Sequence, residues 1–205
     1  PEPGQIMMKL VIATGNKHKL EEIRAIFSLG ALDLVSALDF PEIPDVVEDG
    51  LTFEDNAIKK AVTLARATGC WALADDSGLE VEALDGRPGV YSARYAGEPA
   101  DYEANNRKLL AELQGQSNRR ARFRCVVALA DPSGKTRVVQ GRCDGTIIDR
   151  PRGRAGFGYD PLFVPDGYTE TFAEMSAELK NRISHRARAL AEAQQAWSII
   201  LNPEP

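Results

Sequence analysis

Apolar residues fall along this chain in two rhythms: short unbroken runs, and stripes that recur every three or four positions. Lys9–Ala13 (KLVIA) is an unbroken run with polar neighbours, the pattern of a buried strand. The polar stretch Thr14-Gly15-Asn16-Lys17-His18-Lys19 follows at once, and Leu20, Ile23, Ile26 and Phe27 then recur at helical spacing to about Leu29, where Gly30 predicts the stop. A second strand is expected over 33–36 (DLVS), completing a βαβ-like unit. Residues 37–51, with two prolines and many acids, read as an irregular loop. Thr52 predicts a helix cap with Asp55 three positions on. Phe53, Ala57, Ala61 and Leu64 or Ala65 line one face, and Gly69 predicts the end.

Trp71–Ala74 predicts another buried strand, terminating in Asp75-Asp76-Ser77-Gly78. A Gly/Pro-rich loop over 85–99 precedes a helix expected from about 101 to 113. Arg122–Ala130 and Thr136–Ile148 flank the turn residues Asp131-Pro132-Ser133-Gly134 and read as a long hairpin. Residues 149–161 form a second Gly-rich loop. The C-terminal third reads as mostly helical, with Leu190, Trp197 and Ile200–Leu201 on one buried stripe. There is no internal repeat and no low-complexity linker. The pattern predicts one compact α/β unit, open to division into two lobes.

Composition narrows the function classes. A chain of 205 residues buries roughly 70% of its unfolded surface and needs neither disulfides nor a structural metal to fold. No apolar run approaches the ~20 residues that span a bilayer. Cys70, Cys125 and Cys143 are scattered, no CxxC pair occurs, and His18 and His185 are the only histidines, so a zinc site is not expected. Residues 1–6 read as an upstream extension, with no signal peptide and with Met7-Met8 as the natural start. The cytoplasm is the default expectation. A net charge of −5 argues against a general polyanion binder. The cluster Arg119, Arg120, Arg122 and Arg124 alternates with Ala121, Phe123 and Cys125, so it reads as the solvent face of a strand, not as a nucleic-acid patch. The charge is nevertheless uneven. Residues 39–55 hold seven acids and no Lys or Arg, whereas residues 180–188 hold Lys180, Arg182, His185, Arg186 and Arg188 and no acid. These are two solvated faces or, if both line one cleft, a divalent-metal end and a polyphosphate end.

Three segments are candidates for chemistry. Thr14-Gly15-Asn16 stands at a strand-to-helix junction, where unpaired N–H groups and the helix dipole favour an anion, with Lys19 one turn in; an ordinary strand–helix turn has the same look. Asp75-Asp76 offers a carboxylate for a hard cation or a water proton, with a capped turn as the alternative. Ser77 lacks the GxSxG context of a nucleophile. Gly153–Pro161 contains GxxGxG, the reverse of the dinucleotide order, and leads to proline instead of a helix, so a nicotinamide site is not expected. Its glycines would let Phe157 and Tyr159 lie against a flat base. Ser184-His185-Arg186 opens a helix, where Ser is also an ordinary N-cap.

Taken in order, ATGNxxK, EDGxTFxxNAxxKA, ADDSGLxVxAL, PGVYSARYAG, GFGYDPLF and KNxxSHR closely resemble the inosine triphosphate pyrophosphatase (Ham1-like) family over Ala13–Arg186. No matched motif position departs from the family pattern, and Lys17-His18 is a variable spot within the first loop. The resemblance implies a Maf/Ham1-like α/β fold: an elongated mixed central sheet with flanking helices, two lobes around a deep active-site cleft, all within residues 7–205. It implies Mg²⁺-dependent hydrolysis of ITP, dITP and XTP to the monophosphate and pyrophosphate, by a homodimer with no nucleic-acid or membrane partner. It assigns Glu48 and Asp76 to the metal, with Asp76 also the base, and Lys60 to transition-state charge. Thr14, Gly15, Asn16, Lys17, His18 and Lys19 would cradle phosphates. Asn56 would stand beside Lys60, one turn away on the same helix face. Phe157 would stack on the base, with Ser77, Gly158, Tyr159, Asp160, Lys180, His185 and Arg186 completing the pocket. Asp75 is left as an outer or second-metal ligand. Two alternatives stay open: a related pyrophosphatase for modified pyrimidines, against which SHR and FGYD count, and a nucleotide-binding module without catalysis, against which Glu48, Asp76 and Lys60 count.

Overall fold

The computed structural model describes residues 8–27, 32–43 and 45–201. Residues 1–6, read as an extension, and the expected helix stop at Gly30 lie outside them. Among the described residues, six strands form one mixed sheet in the order β2-β1-β3-β4-β5-β6. They are β1 (Met8–Ile12), β2 (Leu32–Ser36), β3 (Trp71–Val81), β4 (Arg120–Ala130), β5 (Thr136–Ile147) and β6 (Phe163–Pro165). The helices are α1 (Lys17–Ile26), α2 (Phe53–Thr68), α3 (Tyr102–Glu112), α4 (Ala177–Ile183), α5 (His185–Ala196) and α6 (Ser198–Leu201). The architecture is α/β, as expected.

Contacts divide the chain into two compact units. The first comprises the chain up to Asp76, Val126–Gln140 and the chain from Ala189 onward; the second comprises Ser77–Cys125 and Gly141–Arg188. In the first unit, β1 pairs in parallel with β2 (Leu10 opposite Leu34) and with β3 (Leu10 opposite Trp71), so β1-α1-β2 is the expected βαβ unit. Leu10, Val11 and Ile12 are fully buried, which is why the KLVIA run shows no alternation. In α2, Thr52 and Asp55 form a reciprocal capping box, and the helix ends at Gly69. Its buried stripe is Phe53, Ala57, Ala61, Leu64 and Ala65, joined by two polar residues, Asn56 and Lys60.

In the second unit, Phe123 meets Phe163 edge-on at 4.8 Å and stacks against Phe172 at 5.9 Å, at the centre of an aliphatic and aromatic core. β5 and β6 pair antiparallel, Ile147 opposite Phe163. The three-residue β6 has too little pattern of its own to be read from sequence. The Arg cluster alternates outward as expected, and its charge is met within the unit. Arg122 and Arg124 share Glu80 at 2.7 and 3.0 Å, and Arg120 grips Asp166 with both terminal nitrogens. Arg119 instead donates to the carbonyls of Leu113, Ile147 and Ile148.

One expectation fails. Asp75-Asp76-Ser77-Gly78 does not terminate a strand; it lies inside β3, which runs on to Val81. The strand persists because Leu79 and Val81 are fully buried in the core of the second unit, and Ser92 Oγ accepts from the Leu79 N–H at 2.9 Å. Two carboxylates within an extended strand are therefore held by neighbours from other elements, not by turn hydrogen bonds.

Candidate active site

In the first unit, the loop from β1 to α1 is tied by its own side chains. Thr14 Oγ1 accepts from the Asn16 N–H, and Asn16 Oδ1 accepts from the Lys19 N–H as the helix N-cap. Lys19 turns its ammonium to Asp75 Oδ2, 3.3 Å away, where the carboxylate is fully buried. Gly15 is exposed, and Asp45 stands nearby: a Cβ at Gly15 would come within 4.0 Å of its Oδ1. Lys17 and His18 are exposed on the first turn of α1 and are not part of the buried set.

Lys60, itself buried, is the hub of a set of polar groups that includes the half-buried Glu48. Its ammonium donates to Glu48 Oε1 at 2.9 Å and to the Asp75 carbonyl at 2.7 Å, and lies 3.9 Å from Asp76 Oδ1. Asn56, one helical turn away, donates from Nδ2 to Asp76 Oδ2 at 3.0 Å, while its Oδ1 accepts from the Gly50 N–H at 2.8 Å. Both ends of the Asn56 amide are thus engaged by protein, which makes it a splint between the acidic loop and β3. Gly50 is required for this approach, since a Cβ there would lie 2.6 Å from Asn56 Oδ1. The alternation of β3 sends Asp75 to Lys19 and Asp76 to Asn56 and Lys60.

Burial pushes the Asp76 carboxyl above its ordinary value. The Lys60 and Lys19 charges and the Asn56 hydrogen bond oppose the shift, and the Glu48 charge adds to it. The carboxylates of Glu48 and Asp76 both face the Lys60 ammonium, at 2.9 and 3.9 Å. The donor set is oxygen only. Among the described residues no group of three His, Cys, Asp or Glu stands ready to hold a metal by itself. Two carboxylates with remaining positions left to water and phosphate oxygens fit a hard, hexacoordinate cation and fit zinc poorly.

In the second unit, Asp160 plays the organising part that Lys60 plays in the first. Its Oδ2 accepts from the Phe157 N–H at 2.9 Å and from the Lys180 ammonium at 2.6 Å. A Cβ at Gly156, where φ is +73°, would fall 2.0 Å from that same oxygen, so only glycine lets the loop close over it. Phe157 then lies with Lys180 Nζ 5.0 Å and the Arg186 guanidinium carbon 5.9 Å from its ring centre. Arg186 is the largest fully buried side chain among the described residues and donates from Nη2 to Ser77 Oγ at 2.9 Å. His185 lies flat on Phe123, 4.7 Å between ring centres and 12° from parallel, so its ring orientation is set by the core. Tyr159 points inward and donates to the Ser92 carbonyl at 2.9 Å; burial holds the phenol protonated. Ser184 accepts from the Ala187 N–H and caps α5, so the capping role foreseen for it is real.

Ser77, Phe157, Asp160, Lys180 and Arg186 are thus brought together in the second unit, and Glu48, Asn56, Lys60, Asp75 and Asp76 in the first. The sequence reading missed the tie of Lys19 to Asp75. It also missed the part of α3, where Asn106 donates from Nδ2 to the Gly158 carbonyl at 3.0 Å and Tyr102 lies 6.1 Å from Phe157, centre to centre. The one sequence signal for the latter is a polar pair four apart on a helix face.

Comparison with known proteins supplies the context for both sets. The Ham1 family pattern matches residues 10–196. The dITP/XTP pyrophosphatase of Desulforamulus reducens is 54% identical over 190 residues, 92% of this chain and 94% of the relative. That of Geobacter sulfurreducens is 56% identical over 187 residues, 90% and 94% respectively. Among solved structures, the Staphylococcus aureus Ham1 protein superimposes with a TM-score of 0.84 at 42% identity, covering 93% of this chain and 98% of that one. A HAM1 protein from Coxiella burnetii gives 0.85 at 39% identity, covering 94% and 99%. On sequence, on extent and on fold alike, this chain belongs to the Ham1 family.

Proposed function

We propose that the chain hydrolyses non-standard purine nucleoside triphosphates, ITP, dITP and XTP, to the nucleoside monophosphate and pyrophosphate. The observation that carries the reading is the set in the first unit, in which Lys60 meets the Glu48 carboxylate and stands beside that of Asp76, itself held by the Asn56 amide. Nucleotide binding alone has no need of two carboxylates on one lysine, whereas a metal-held water does. Glu48 and Asp76 would hold Mg²⁺. When bound, the ion supplies charge neutralisation on the phosphates and a more acidic water. Asp76, its carboxylate oriented by the Asn56 amide at 3.0 Å, would accept the proton of the attacking water. Water oxygen bonds to the α-phosphorus, the bond to the bridging oxygen breaks, and pyrophosphate leaves as one unit. Lys60, fixed between Glu48 and the Asp75 carbonyl, presents a point charge to the phosphoryl oxygens. The Thr14–Lys19 turn would take the outer phosphates.

The second set suits the base. Arg186 is donor-only and buried, and it matches a purine with an oxygen at C6. An adenine amino group there would leave donor facing donor, a mismatch of about 1–3 kcal/mol per group. Phe157 supplies a flat face, with Lys180 held beside it by Asp160. Ser77 follows Asp76 directly along β3, so one strand carries a member of each set. The family resemblance also implies a homodimer, which sedimentation equilibrium tests, and a cytoplasmic nucleotide pool is the setting that fits the activity. No helix among the described residues is long and apolar enough to cross a membrane.

A pyrophosphate-release assay with ITP, XTP, ATP and dTTP, with and without Mg²⁺, tests the reading. Release from ITP and XTP that requires Mg²⁺ is expected. Preference for dTTP would move the chain to the pyrimidine class, and binding of ITP without release would leave a binding module.

A further inference from the structure

Phe157 stands between Gly156 and Gly158, both at positive φ (+73° and +62°). A ring on such a segment receives little orientation from its own backbone, since glycine admits many conformations. Its orientation must come from neighbours, and α3 provides two. Tyr102, the first residue of α3, places its ring 6.1 Å from that of Phe157 at a 45° tilt, within the range of favourable aromatic pairs. Asn106, one turn along the same helix face, donates from Nδ2 to the Gly158 carbonyl at 3.0 Å. Its Oδ1 is enclosed and meets no hydrogen-bond partner among the described residues. An enclosed acceptor without a partner is costly, and an aliphatic side chain at this position would avoid it. What the amide offers in return is the bond to Gly158.

α3 is itself anchored. Asn105 accepts from the Ala96 N–H at 2.7 Å and donates to the Ala93 carbonyl at 3.0 Å. The segment it grips also takes the hydroxyl of Tyr159 at the Ser92 carbonyl. Helix, 92–96 segment and 157–159 loop therefore close a ring of hydrogen bonds within the second unit.

We propose that Tyr102 and Asn106 are positioning residues for base recognition: they brace the Phe157 ring from α3 and so set how tightly a purine is held. The inference rests on Phe157 being the ring on which the base stacks. It concerns binding and not the bond-breaking step, so KM should move while kcat stays.

The test is a double-mutant cycle on steady-state ITP hydrolysis. Tyr102→Ala is expected to raise KM about two- to tenfold, the range for losing one aromatic pair, with kcat unchanged and Tyr102→Phe close to the parent. Asn106→Leu, which keeps the volume and removes the donor, is expected to raise KM by a similar factor. In a Phe157→Ala background neither substitution should add a further increase. Thermal melting of each variant shows that it is folded, and Tyr102, at 36% exposure, decides the matter if Asn106→Leu does not fold. An unchanged KM for Tyr102→Ala while Phe157→Ala raises it overturns the inference and leaves the base assignment intact, as does full additivity. If Phe157→Ala itself leaves KM unchanged, the base assignment fails and this inference falls with it.

Discussion

The set around Asp76 and the set around Phe157 are built by opposite means. In the first unit, regular elements do most of the placing: β3 carries the two aspartates, α2 carries Asn56 and Lys60 on its buried face, and the capped start of α1 carries Lys19, while the loop before α2 adds Glu48. Charge is balanced against charge, and the cost of burying carboxylates shows in the raised Asp76. In the second unit, a Gly-rich loop has no regular structure to rely on. It is held by the Asp160 carboxylate on the Phe157 N–H and by single hydrogen bonds from Asn106 and Tyr159. The difference teaches that a group whose work is charge chemistry needs a few strong, rigidly spaced neighbours. A group whose work is shape recognition needs its loop pinned at several weak points.

The largest effect should follow from breaking the first set at its centre. Asp76→Asn should lower kcat at least about a hundredfold, in keeping with the loss of a positioned base, with KM changed little. The same variant should be no less stable at neutral pH. Because the carboxyl sits above its ordinary value in the folded state, its ionisation as pH rises past about 4 works against folding. Melting curves at pH 4 and pH 7 check this, and the variant's advantage should be greater at pH 7. A variant that melts lower at pH 7 than its parent would mean that Lys60 and Lys19 outweigh burial.

A middle-sized effect belongs to the second set. Arg186→Ala should raise KM for ITP about tenfold or more and narrow the preference for ITP over ATP, with kcat changed less than in Asp76→Asn. An unchanged ITP/ATP ratio would place base readout on other residues. The smallest effect is expected away from both. Glu80→Gln removes the partner of Arg122 and Arg124 on the solvent face of β3 and β4. Those arginines are 46% and 35% exposed at the side chain, so denaturant unfolding should show a loss of only about 0.2–1 kcal/mol per pair, with both kinetic constants unmoved. A kinetic change there would show that the arginines serve more than their strand.

Legibility from sequence followed the same division. The βαβ opening, the capping box at Thr52–Asp55, the hairpin about Asp131–Gly134 and the outward alternation of Arg120–Arg124 were all readable, because each depends on neighbours within a few residues. Asn56 and Lys60 were readable as partners, since four-residue spacing places them on one face before any fold is known. Asp75–Gly78 was misread as a strand end. Its local composition favours a turn, and only the burial of Leu79 and Val81 in a distant core keeps the chain extended. β6 was invisible for the same reason: three residues become a strand only when β5 offers an edge.

Sequence alone determined which residue types are available to this protein and which helix faces and strand faces they occupy, and the six ordered motifs carried the family. Tertiary structure decided the pairings: Lys19 with Asp75, Lys60 with Glu48, Arg186 with Ser77, Asn106 with Gly158. The physical reason is one of range. Backbone preference and side-chain periodicity act over a single turn or strand. A buried charge takes its partner from whichever element packing brings within hydrogen-bond reach, and the burial that makes the partner necessary is itself a product of the fold.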